Sequence, residues 1–366
     1  MEWSNQNKYN SFNSYKGLAY YEKYKDIARW MKGSTNYLPP PIECSIDPIA
    51  HCNLKCYYCN SQRYLRDNPD EIPSDTRMMS EVQMIKLIDF MADWGVKGIC
   101  FGGGGESLLN KDVWDLPRYI HNKGMETGIV TNGTASGDWM KLVWCRWVGF
   151  SVDAADKETF LKIKGVDLFD KVIQNIKYLV DIKSKVENNL DIAFKFLVLP
   201  ENWMQIFDAC RLAKELGVQD FHVRPVDLER KDFKSAKQIN LEMFEIRNQF
   251  NLCHQLEDDI FHVYTVLHKY DDEFHVKHDF NRCLASPLVI QCCTDGYCYV
   301  CVDHRIEPRF RLGKWDNIQE WWGSRKHLEV IQSINPHKEC SRCTWSEYNR
   351  QIEDAVIKDR MCLKFP

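Results

Sequence analysis

The sequence predicts an α/β fold organised as an open, partial (β/α)6 barrel. Six apolar strand segments alternate with six helical segments between residues 42 and 256. This regular alternation is typical of parallel strands joined by right-handed helical crossovers. Six repeats are too few to close an eight-stranded barrel, and ligands of such sheets bind at the carboxyl ends of the strands. We therefore expect the functional residues at that edge of the sheet.

Each repeat is predicted from its own hydrophobic pattern. The strands are predicted at residues 42–47, 97–101, 126–130, 147–152, 191–199 and 219–224. The helices are predicted at residues 80–94, 113–123, 137–143, 168–183, 203–216 and 240–255, with another over residues 20–31. Ser80 precedes the first helix of the repeat, where a serine side chain can cap the free backbone N–H groups.

The chain divides into three predicted parts. Residues 1–41 form a polar and aromatic N-terminal extension that ends in three prolines. Residues 42–256 form the barrel, and no further βα repeat is visible after them. Residues 257–366 are rich in cysteine, tryptophan and histidine, and we expect a small separate domain there.

Composition and charge exclude several functional classes. The 366 residues are 44% hydrophobic and carry a net charge of -4, with no block of lysine and arginine, so no nucleic-acid partner is expected. The N-terminus lacks the apolar core of a signal peptide, and no run of about 18 apolar residues occurs, so we expect a cytoplasmic protein without membrane segments. Sixteen cysteines in a reducing compartment indicate metal sites rather than disulfides.

Three cysteines follow the first predicted strand. Cys52, Cys56 and Cys59 are separated by three and then two residues. Thiolates hold iron–sulfur clusters, and three of them leave one iron of a four-iron cluster open to another ligand. The alternative is a zinc site, with His51 or Cys44 as the fourth ligand.

The segment from Cys52 to Cys59 resembles the signature of the radical S-adenosylmethionine (SAM) superfamily, including an aromatic residue, Tyr58, before the third cysteine. The resemblance covers roughly residues 42–225. It implies that the three cysteines hold an open [4Fe–4S] cluster and that Tyr58 lies at the cofactor site. It also implies reductive cleavage of SAM to a 5′-deoxyadenosyl radical, with an electron donor such as flavodoxin or ferredoxin.

Four glycines and a glutamate follow the second predicted strand, at residues 102–106. Glycine lets the backbone approach a ligand closely, and a carboxylate can accept hydrogen bonds from an ammonium group. Radical SAM proteins carry a Gly-Gly-Glu-Pro stretch here that binds the SAM amino group. The resemblance therefore assigns this role to Gly104, Gly105 and Glu106, with Ser107 in place of proline. An ordinary glycine-rich loop is the alternative.

Five further residues resemble positions of the SAM pocket. Ser151 and Asp153 resemble the segment that reaches the ribose hydroxyls and the SAM carboxylate, and Asn132 resembles another pocket-lining position. Lys164 lies where relatives often have an arginine for the SAM carboxylate, and Asn202 resembles a position near SAM. The alternatives are strand-end turns and, for Lys164, a solvated helix charge.

A second group of cysteines lies in the C-terminal part. Cys283 precedes Cys301, which follows a predicted hairpin turn at Gly296, while Cys340 and Cys343 have the spacing of a metal knuckle. Four thiolates would complete a second [4Fe–4S] cluster, and a zinc ribbon is the alternative. The pattern resembles the auxiliary-cluster domain called SPASM in its long form and Twitch in its short form. It matches the short form, because no further cysteine pair follows closely.

The remaining cysteines fall into two sets. Cys292, Cys293 and Cys298 lie between the candidate ligands and leave the ligand choice open, although the spacing from the glycine turn favours Cys301. Cys362 has no assigned role. The others are predicted core residues because they lie in apolar strands or helices: Cys44, Cys100, Cys145, Cys210 and Cys253.

A fully ligated second cluster suits electron transfer, and removal of one hydrogen atom plus one electron is a two-electron oxidation. The short form resembles the aminocyclitol dehydrogenase of aminoglycoside pathways and also occurs in peptide-modifying relatives. We therefore expect oxidation or rearrangement of a small polar metabolite, such as a sugar or cyclitol. A peptide maturase is the alternative, although residues 1–41 are too short for a winged-helix peptide-recognition domain, and a non-catalytic Fe–S or zinc protein is a third.

Three residues after Cys301 are candidates for contact with the substrate. Asp303, His304 and Arg305 could supply a base and two anchoring groups. A solvated turn is the alternative.

Overall fold

A computed structural model describes residues 14–59, 61–62, 65, 68, 70, 72–226, 242–267 and 276–358. Cys362 lies outside these residues. The strands of the described part are β1 Glu43–Ile46, β2 Gly98–Phe101, β3 Glu126–Thr131, β4 Trp147–Ser151, β5 Asp191–Val198, β6 Asp220–Pro225, β7 His262–Thr265, β8 Val289–Cys292, β9 Tyr297–Tyr299 and β10 Arg311–Lys314.

All ten strands belong to one sheet, in the order β10-β9-β8-β1-β2-β3-β4-β5-β6-β7. The strands from β1 to β7 pair in parallel in chain order, and β8 pairs in parallel with the free edge of β1. Only β9 and β10 run antiparallel to their neighbours. The structure confirms the predicted α/β class with a parallel sheet.

The helices of the described part are α1 Tyr21–Met31, α2 Glu81–Trp94, α3 Leu116–Asn122, α4 Lys157–Lys164, α5 Phe169–Lys185, α6 Ile206–Glu215, α7 Met243–His254, α8 Ile318–Trp321, α9 Arg325–Gln332, α10 Pro336–Glu339 and α11 Ser346–Ile352. The Ser80 side chain caps α2 as predicted, because its oxygen accepts from the Gln83 N–H while the Gln83 side chain accepts from the Ser80 N–H. The helix predicted at 137–143 is instead a 3-10 helix, Trp139–Trp144. None of the helices in the described part is both long and apolar enough to cross a membrane.

The sheet runs past the predicted barrel boundary at residue 256. After α7, the short strand β7 adds to the edge of β6, and β8 adds to the opposite edge beside β1. Strand β7 was not predicted, because His262 and Tyr264 interrupt its apolar pattern. The division into three domains stays a prediction, although the sheet itself is continuous across residue 257.

The two faces of the sheet differ in chemistry. Along β5, Ile192, Phe194 and Phe196 are buried on the face that packs against the helices. Asp191 and Lys195 alternate with them and lie on the inner face of the barrel, because successive strand residues point to opposite sides. The inner face of β5 therefore carries two charged side chains, Asp191 and Lys195, beside the apolar Ala193 and Leu197.

The predicted core cysteines are buried with one exception. Cys44, Cys145, Cys210 and Cys253 are at most 2% exposed. Cys100 is only partly buried, because it alternates with the buried Ile99 and Phe101 of β2 and so lies on the inner face. The prediction of a core role is therefore wrong for Cys100.

Candidate functional site

The three cysteines of the first group lie in the loop after β1, at the carboxyl edge of the parallel strands. The Cys59 N–H donates to the Cys56 carbonyl over 3.3 Å, which closes the loop into a turn. Burial raises the pKa of the Cys52 thiol to about 12, and the nearby Glu106 and Cys56 contribute. The Cys52 thiol is therefore neutral in the metal-free chain, and cationic iron would deprotonate it. The donor set fits an iron–sulfur cluster.

The zinc alternative finds no support in the geometry. Cys44 points into the core, where its Sγ lies 3.8 Å from that of Cys292. His51 is exposed to solvent.

The glycine loop after β2 packs directly against the cysteine loop. A Cβ on Gly105 would lie within 2.7 Å of the His51 carbonyl carbon, and one on Gly104 would lie 2.8 Å from the Asp47 carboxylate. The Glu106 N–H donates to the His51 carbonyl over 2.9 Å and holds the two loops together. Glycine is therefore required by close packing, which distinguishes this segment from an ordinary flexible loop.

Glu106 joins the glycine loop to the end of β3. Its side chain is 2% exposed, and its oxygens accept from the Asn132 N–H at 2.5 Å, the Thr131 hydroxyl at 2.7 Å and the Leu108 N–H at 3.1 Å. Burial raises the pKa of Glu106, and the hydrogen bonds from Asn132 and Thr131 oppose that rise. Each carboxylate oxygen can accept more than one donor, so an ammonium group could still bind here.

Asn132 contacts the first cysteine group. Its Nδ2 lies 3.6 Å from Cys52 Sγ and 2.9 Å from the Asn53 Oδ1, and its Oδ1 accepts from the Thr134 N–H at 2.9 Å. The residue therefore closes a strand-end turn and also reaches the candidate cluster ligand. Asn53 completes this contact by donating to the Thr134 hydroxyl over 2.8 Å, and it was missed because it lies inside the cysteine motif without a pattern of its own.

Asp153 organises the segment after β4. It is 1% exposed and has a positive φ of 61°, which is uncommon for a residue with a side chain. Its carboxylate accepts from the Tyr58 hydroxyl at 2.6 Å and the Leu197 N–H at 2.7 Å, and it forms an ion pair with Lys164. The Lys164 ammonium also donates to the Ser151 carbonyl over 2.9 Å. These contacts bring four of the predicted SAM-site residues together.

Lys164 is a buried cation beside the cysteine loop, so the alternative of a solvated helix charge is wrong. Its side chain is 2% exposed. Burial acts to lower the pKa of Lys164, but the neighbouring Asp153 and Cys56 outweigh it and the pKa is raised. Burial raises the pKa of Cys56, and the Lys164 ammonium opposes that rise. Lys164 therefore favours a thiolate at Cys56, the form that binds iron.

Asn202 supports the Asp153 turn from behind. Its Nδ2 donates to the backbone carbonyls of Asp153 at 2.7 Å and Leu197 at 2.8 Å, while its Oδ1 accepts from the Leu199 N–H at 2.7 Å. The side chain is fully buried and bound to the backbone on both sides. This geometry favours a supporting role, and direct contact with SAM stays a prediction.

The second group of cysteines lines one cavity within the C-terminal part of the chain. This cavity is lined by Cys283, Cys301, Cys340 and Cys343 together with Asn349. Burial raises the pKa of Cys283 to about 12, and the nearby Cys301 contributes to the rise. Four cysteines at different loop positions converge here, Cys340 buried and the other three partly buried, and this donor set fits a fully ligated cluster.

The other three C-terminal cysteines that the structure describes do not reach that cavity. The Sγ of Cys292 lies 3.5 Å from that of Cys298, opposite it on the neighbouring strand, and 3.8 Å from that of Cys44. Cys293 donates towards the Asp47 carboxylate over 3.6 Å. These positions agree with the choice of Cys301 as the candidate ligand.

Asp303 and His304 are held inside the C-terminal part. Asp303 accepts from Arg342 Nε at 2.5 Å and from the Thr344 N–H at 2.7 Å, which binds the segment after Cys301 to both neighbours of Cys343. The His304 ring stacks on Phe310 with 3.8 Å between ring centroids. Each side chain has a structural partner, and both are 5% exposed, so the alternative of a solvated turn is wrong.

Arg305 reaches from the C-terminal part to the glycine loop. Its Nε lies 3.0 Å from Asp47 Oδ2, and its Nη1 donates to the Ser61 hydroxyl over 3.3 Å. The guanidinium lies against Gly103, where any side chain would collide with it. The predicted substrate anchor therefore connects the second cysteine site with the first in this structure.

Two cations inside the barrel were not predicted from the sequence. Lys195 on β5 lies with its ammonium 4.9 Å from the Trp147 ring, and Arg224 is on the same face of β6, opposite Leu197. Burial, together with the neighbouring Arg224 guanidinium, lowers the pKa of Lys195 to about 8. The signal in the sequence is a lysine in the middle of the otherwise apolar segment from Ile192 to Val198.

Comparisons with known proteins agree with this geometry. The profile of the radical SAM superfamily matches residues 46–213. A probable GTP 3′,8-cyclase of Saccharolobus islandicus is 26% identical over 227 residues, which are 58% of this chain and 69% of that protein.

Two solved structures share the fold. SuiB of Streptococcus suis, bound to its precursor peptide SuiA, superposes with a TM-score of 0.61 and 15% identity over 88% of this chain and 72% of that one. The enzyme anSMEcpe with bound AdoMet, which is SAM, superposes with a TM-score of 0.54 and 16% identity over 88% and 99%. At such identities the likeness concerns the fold alone. The matched profile shows that residues 46–213 form a radical SAM superfamily domain, and enzymes of this class use a [4Fe–4S] cluster and SAM.

Proposed function

We propose that this chain is a two-cluster radical SAM enzyme that oxidises a small polar metabolite carrying an anionic group. The observation that carries the second cluster is the convergence of four cysteines, one buried and three partly buried, on one cavity. The candidate ligands of the first cluster are Cys52, Cys56 and Cys59, and those of the second are Cys283, Cys301, Cys340 and Cys343.

The residues around the first site would hold SAM in a fixed orientation. Glu106 and the glycine loop would bind its amino group, because the carboxylate is buried and the loop leaves no room for side chains. The ion pair of Asp153 and Lys164 would order the pocket wall and favour the Cys56 thiolate. The cluster and SAM, when bound, supply a 5′-deoxyadenosyl radical that abstracts a hydrogen atom from the substrate.

A second cluster would make the reaction an oxidation. With four protein ligands it has no open position for substrate, so its role would be to accept an electron. Loss of one hydrogen atom, one electron and one proton from an alcohol or amine carbon yields a carbonyl or imine. Reduction of the first cluster would come from a protein such as flavodoxin or ferredoxin.

The barrel interior supports an anionic substrate. Lys195 and Arg224 present two positive charges on the inner face of adjacent strands, close enough to lower the pKa of the lysine. A carboxylate or phosphate would relieve that repulsion through charge-assisted hydrogen bonds. The curated relatives are named for GTP, itself a polyanion, whereas none of the relatives described above is a sugar or cyclitol oxidase. The more specific expectation of a sugar or cyclitol therefore has no support from them.

A ribosomally made peptide is the second candidate substrate. SuiB was solved with its precursor peptide bound, and this chain shares that fold. An anaerobic assay that measures the formation of 5′-deoxyadenosine separates the two candidates. It compares phosphorylated and carboxylated metabolites with peptides as added substrates.

Replacing both Cys340 and Cys343 by serine tests the second cluster. Anaerobic reconstitution should give about eight irons per wild-type chain and about four in the double variant, because only one four-iron cluster remains. The variant should still form 5′-deoxyadenosine with dithionite and SAM, since the first site is intact. Serine at the buried Cys145 is the matched control and should leave the iron content unchanged. About four irons in the wild type would exclude the second cluster.

The charge of Lys195 gives a pH prediction. Its pKa of about 8 means that the free protein loses this positive charge as the pH rises through that value. Binding of inorganic pyrophosphate to the reconstituted, SAM-loaded protein should therefore weaken between about pH 7 and pH 9. Methionine at position 195 should weaken it by roughly 10- to 100-fold at pH 7, the loss expected for one charge-assisted hydrogen bond.

Titration calorimetry across this pH range checks the expectation. Arginine at position 195 should retain binding and remove the decline with pH, because its guanidinium stays charged. Methionine at the exposed Lys177 is the matched control. Equal affinity in wild type and the methionine variant at position 195 would rule out an anion site at Lys195.

A further inference from the structure

The Asn349 side chain connects two loops that carry candidate ligands of the second cluster. Asn349 lies on α11 and is 1% exposed. Its Oδ1 accepts from the backbone N–H groups of Leu284 at 2.6 Å and Ala285 at 2.7 Å, the two residues directly after Cys283. Its Nδ2 lies 3.4 Å from Cys343 Sγ.

These contacts fix which way the amide faces. Amide oxygen and nitrogen are usually hard to tell apart, and the assignment rests on the surrounding donors and acceptors. Here the two backbone N–H groups of Leu284 and Ala285 can only be met by an acceptor, so the oxygen must face them. The Nδ2 is then directed at Cys343 Sγ, and its other contact is the Trp345 carbonyl at 3.3 Å.

We propose that Asn349 is a positioning residue that raises the reduction potential of the second cluster through an N–H···S hydrogen bond to Cys343. The inference rests on the proposed function, since it requires that cluster. A hydrogen bond to a ligand sulfur stabilises the more negative, reduced state of a cluster, and hydrogen bonds to the sulfurs are among the main determinants of cluster potential.

The surroundings make this hydrogen bond effective. Asn349 is buried and Cys343 is partly buried, so less water competes for the sulfur and the bond is stronger than it would be in open solvent. The Asp303 carboxylate is the nearby anion, and it is paired with Arg342 and bonded to Thr344, one on either side of Cys343. Arg342 therefore compensates the negative charge of Asp303. The Asn349 N–H approaches the ligand sulfur separately, from α11.

Aspartate at position 349 separates the electronic role from the structural one. It keeps the oxygen that accepts from Leu284 and Ala285, and it replaces the N–H donor by an anionic oxygen beside Cys343 Sγ. We expect the iron content to stay at about eight per chain while the potential of the second cluster shifts to a more negative value. Leucine removes both contacts, so we expect the iron content to fall towards about four.

The potential is measured by an EPR-monitored redox titration in a Cys56→Ala background, so that only the second cluster contributes. Asn122→Asp, at an exposed position at the end of α3, adds the same charge and should leave the potential unchanged. An unchanged potential in Asn349→Asp, with the second cluster present, overturns the inference. Absence of a second cluster in the wild type refutes the proposed function instead, so the two failures are distinct.

A second measurement needs no change at position 349. In Cys56→Ala protein labelled with ¹⁵N-asparagine, the reduced second cluster should show a ¹⁵N hyperfine coupling by pulsed EPR. A merely structural asparagine, turned away from the sulfur, would give none. Absence of this coupling also overturns the inference, whether or not the Asn349 variants fold.

Discussion

Replacing Cys56 by alanine is expected to abolish the formation of 5′-deoxyadenosine from SAM. Cys56 lies in the loop after β1, where the Lys164 ammonium favours its thiolate. With two thiolates left, the first cluster loses a ligand that Cys44 cannot replace, since Cys44 points into the core. We expect the iron content to fall from about eight to about four per chain.

Chromatography of the products after anaerobic incubation with dithionite and SAM measures this loss directly. Alanine at Cys253, a fully buried cysteine on α7, is the matched control and should retain both clusters and the cleavage of SAM. If the Cys56 variant forms as much 5′-deoxyadenosine as the wild type, the assignment of the first cluster site is refuted.

The local parts of the fold and the first site could be predicted from sequence because their signals are short in range. The six strands from β1 to β6 begin and end within two residues of their predicted bounds, since each is a buried apolar run between turn residues. The Cys52 motif and the glycine loop follow consecutive strands. Parallel strands bring their carboxyl ends to one edge, so their proximity followed from the βα alternation alone.

The parts that escaped prediction depend on contacts between distant segments. Arg305 is a candidate substrate anchor by sequence, but in the structure it binds Asp47 and covers Gly103, both in the barrel. The roles of Asn202 and Asn349 also lie in hydrogen bonds to backbone groups of other loops. No spacing rule reports such partners, because they are set by how the loops fold over one another.

Arg305 also shows how the two sites are related in space. It follows Cys301 by four residues, and its guanidinium pairs with Asp47 at the end of β1. The Asp47 carboxylate in turn accepts from the Gly104 N–H of the glycine loop. A short chain of buried polar contacts therefore connects the second cysteine group with the loop expected to bind SAM.

Replacing Gly105 by alanine is expected to weaken SAM binding severely while leaving the barrel folded. The new Cβ would lie within 2.7 Å of backbone atoms of His51, and backbone cannot swing aside as a side chain can. The glycine loop must therefore move away from the cysteine loop, and the Glu106 N–H would leave the His51 carbonyl. Overpacking of this kind costs about 1–3 kcal/mol, which corresponds to roughly 10- to 100-fold in SAM affinity.

Alanine at Gly98 is the matched control. Gly98 begins β2, the strand that leads into the glycine loop, but a Cβ there would not collide with backbone. A Cβ there would have only an ordinary contact at 3.6 Å with the Glu126 carbonyl, so SAM affinity should stay close to that of the wild type. Equilibrium dialysis of SAM with the reconstituted proteins compares the two variants, and iron analysis verifies that the clusters are present. Wild-type affinity in the Gly105 variant would show that close contact of the two loops is not what shapes the SAM pocket.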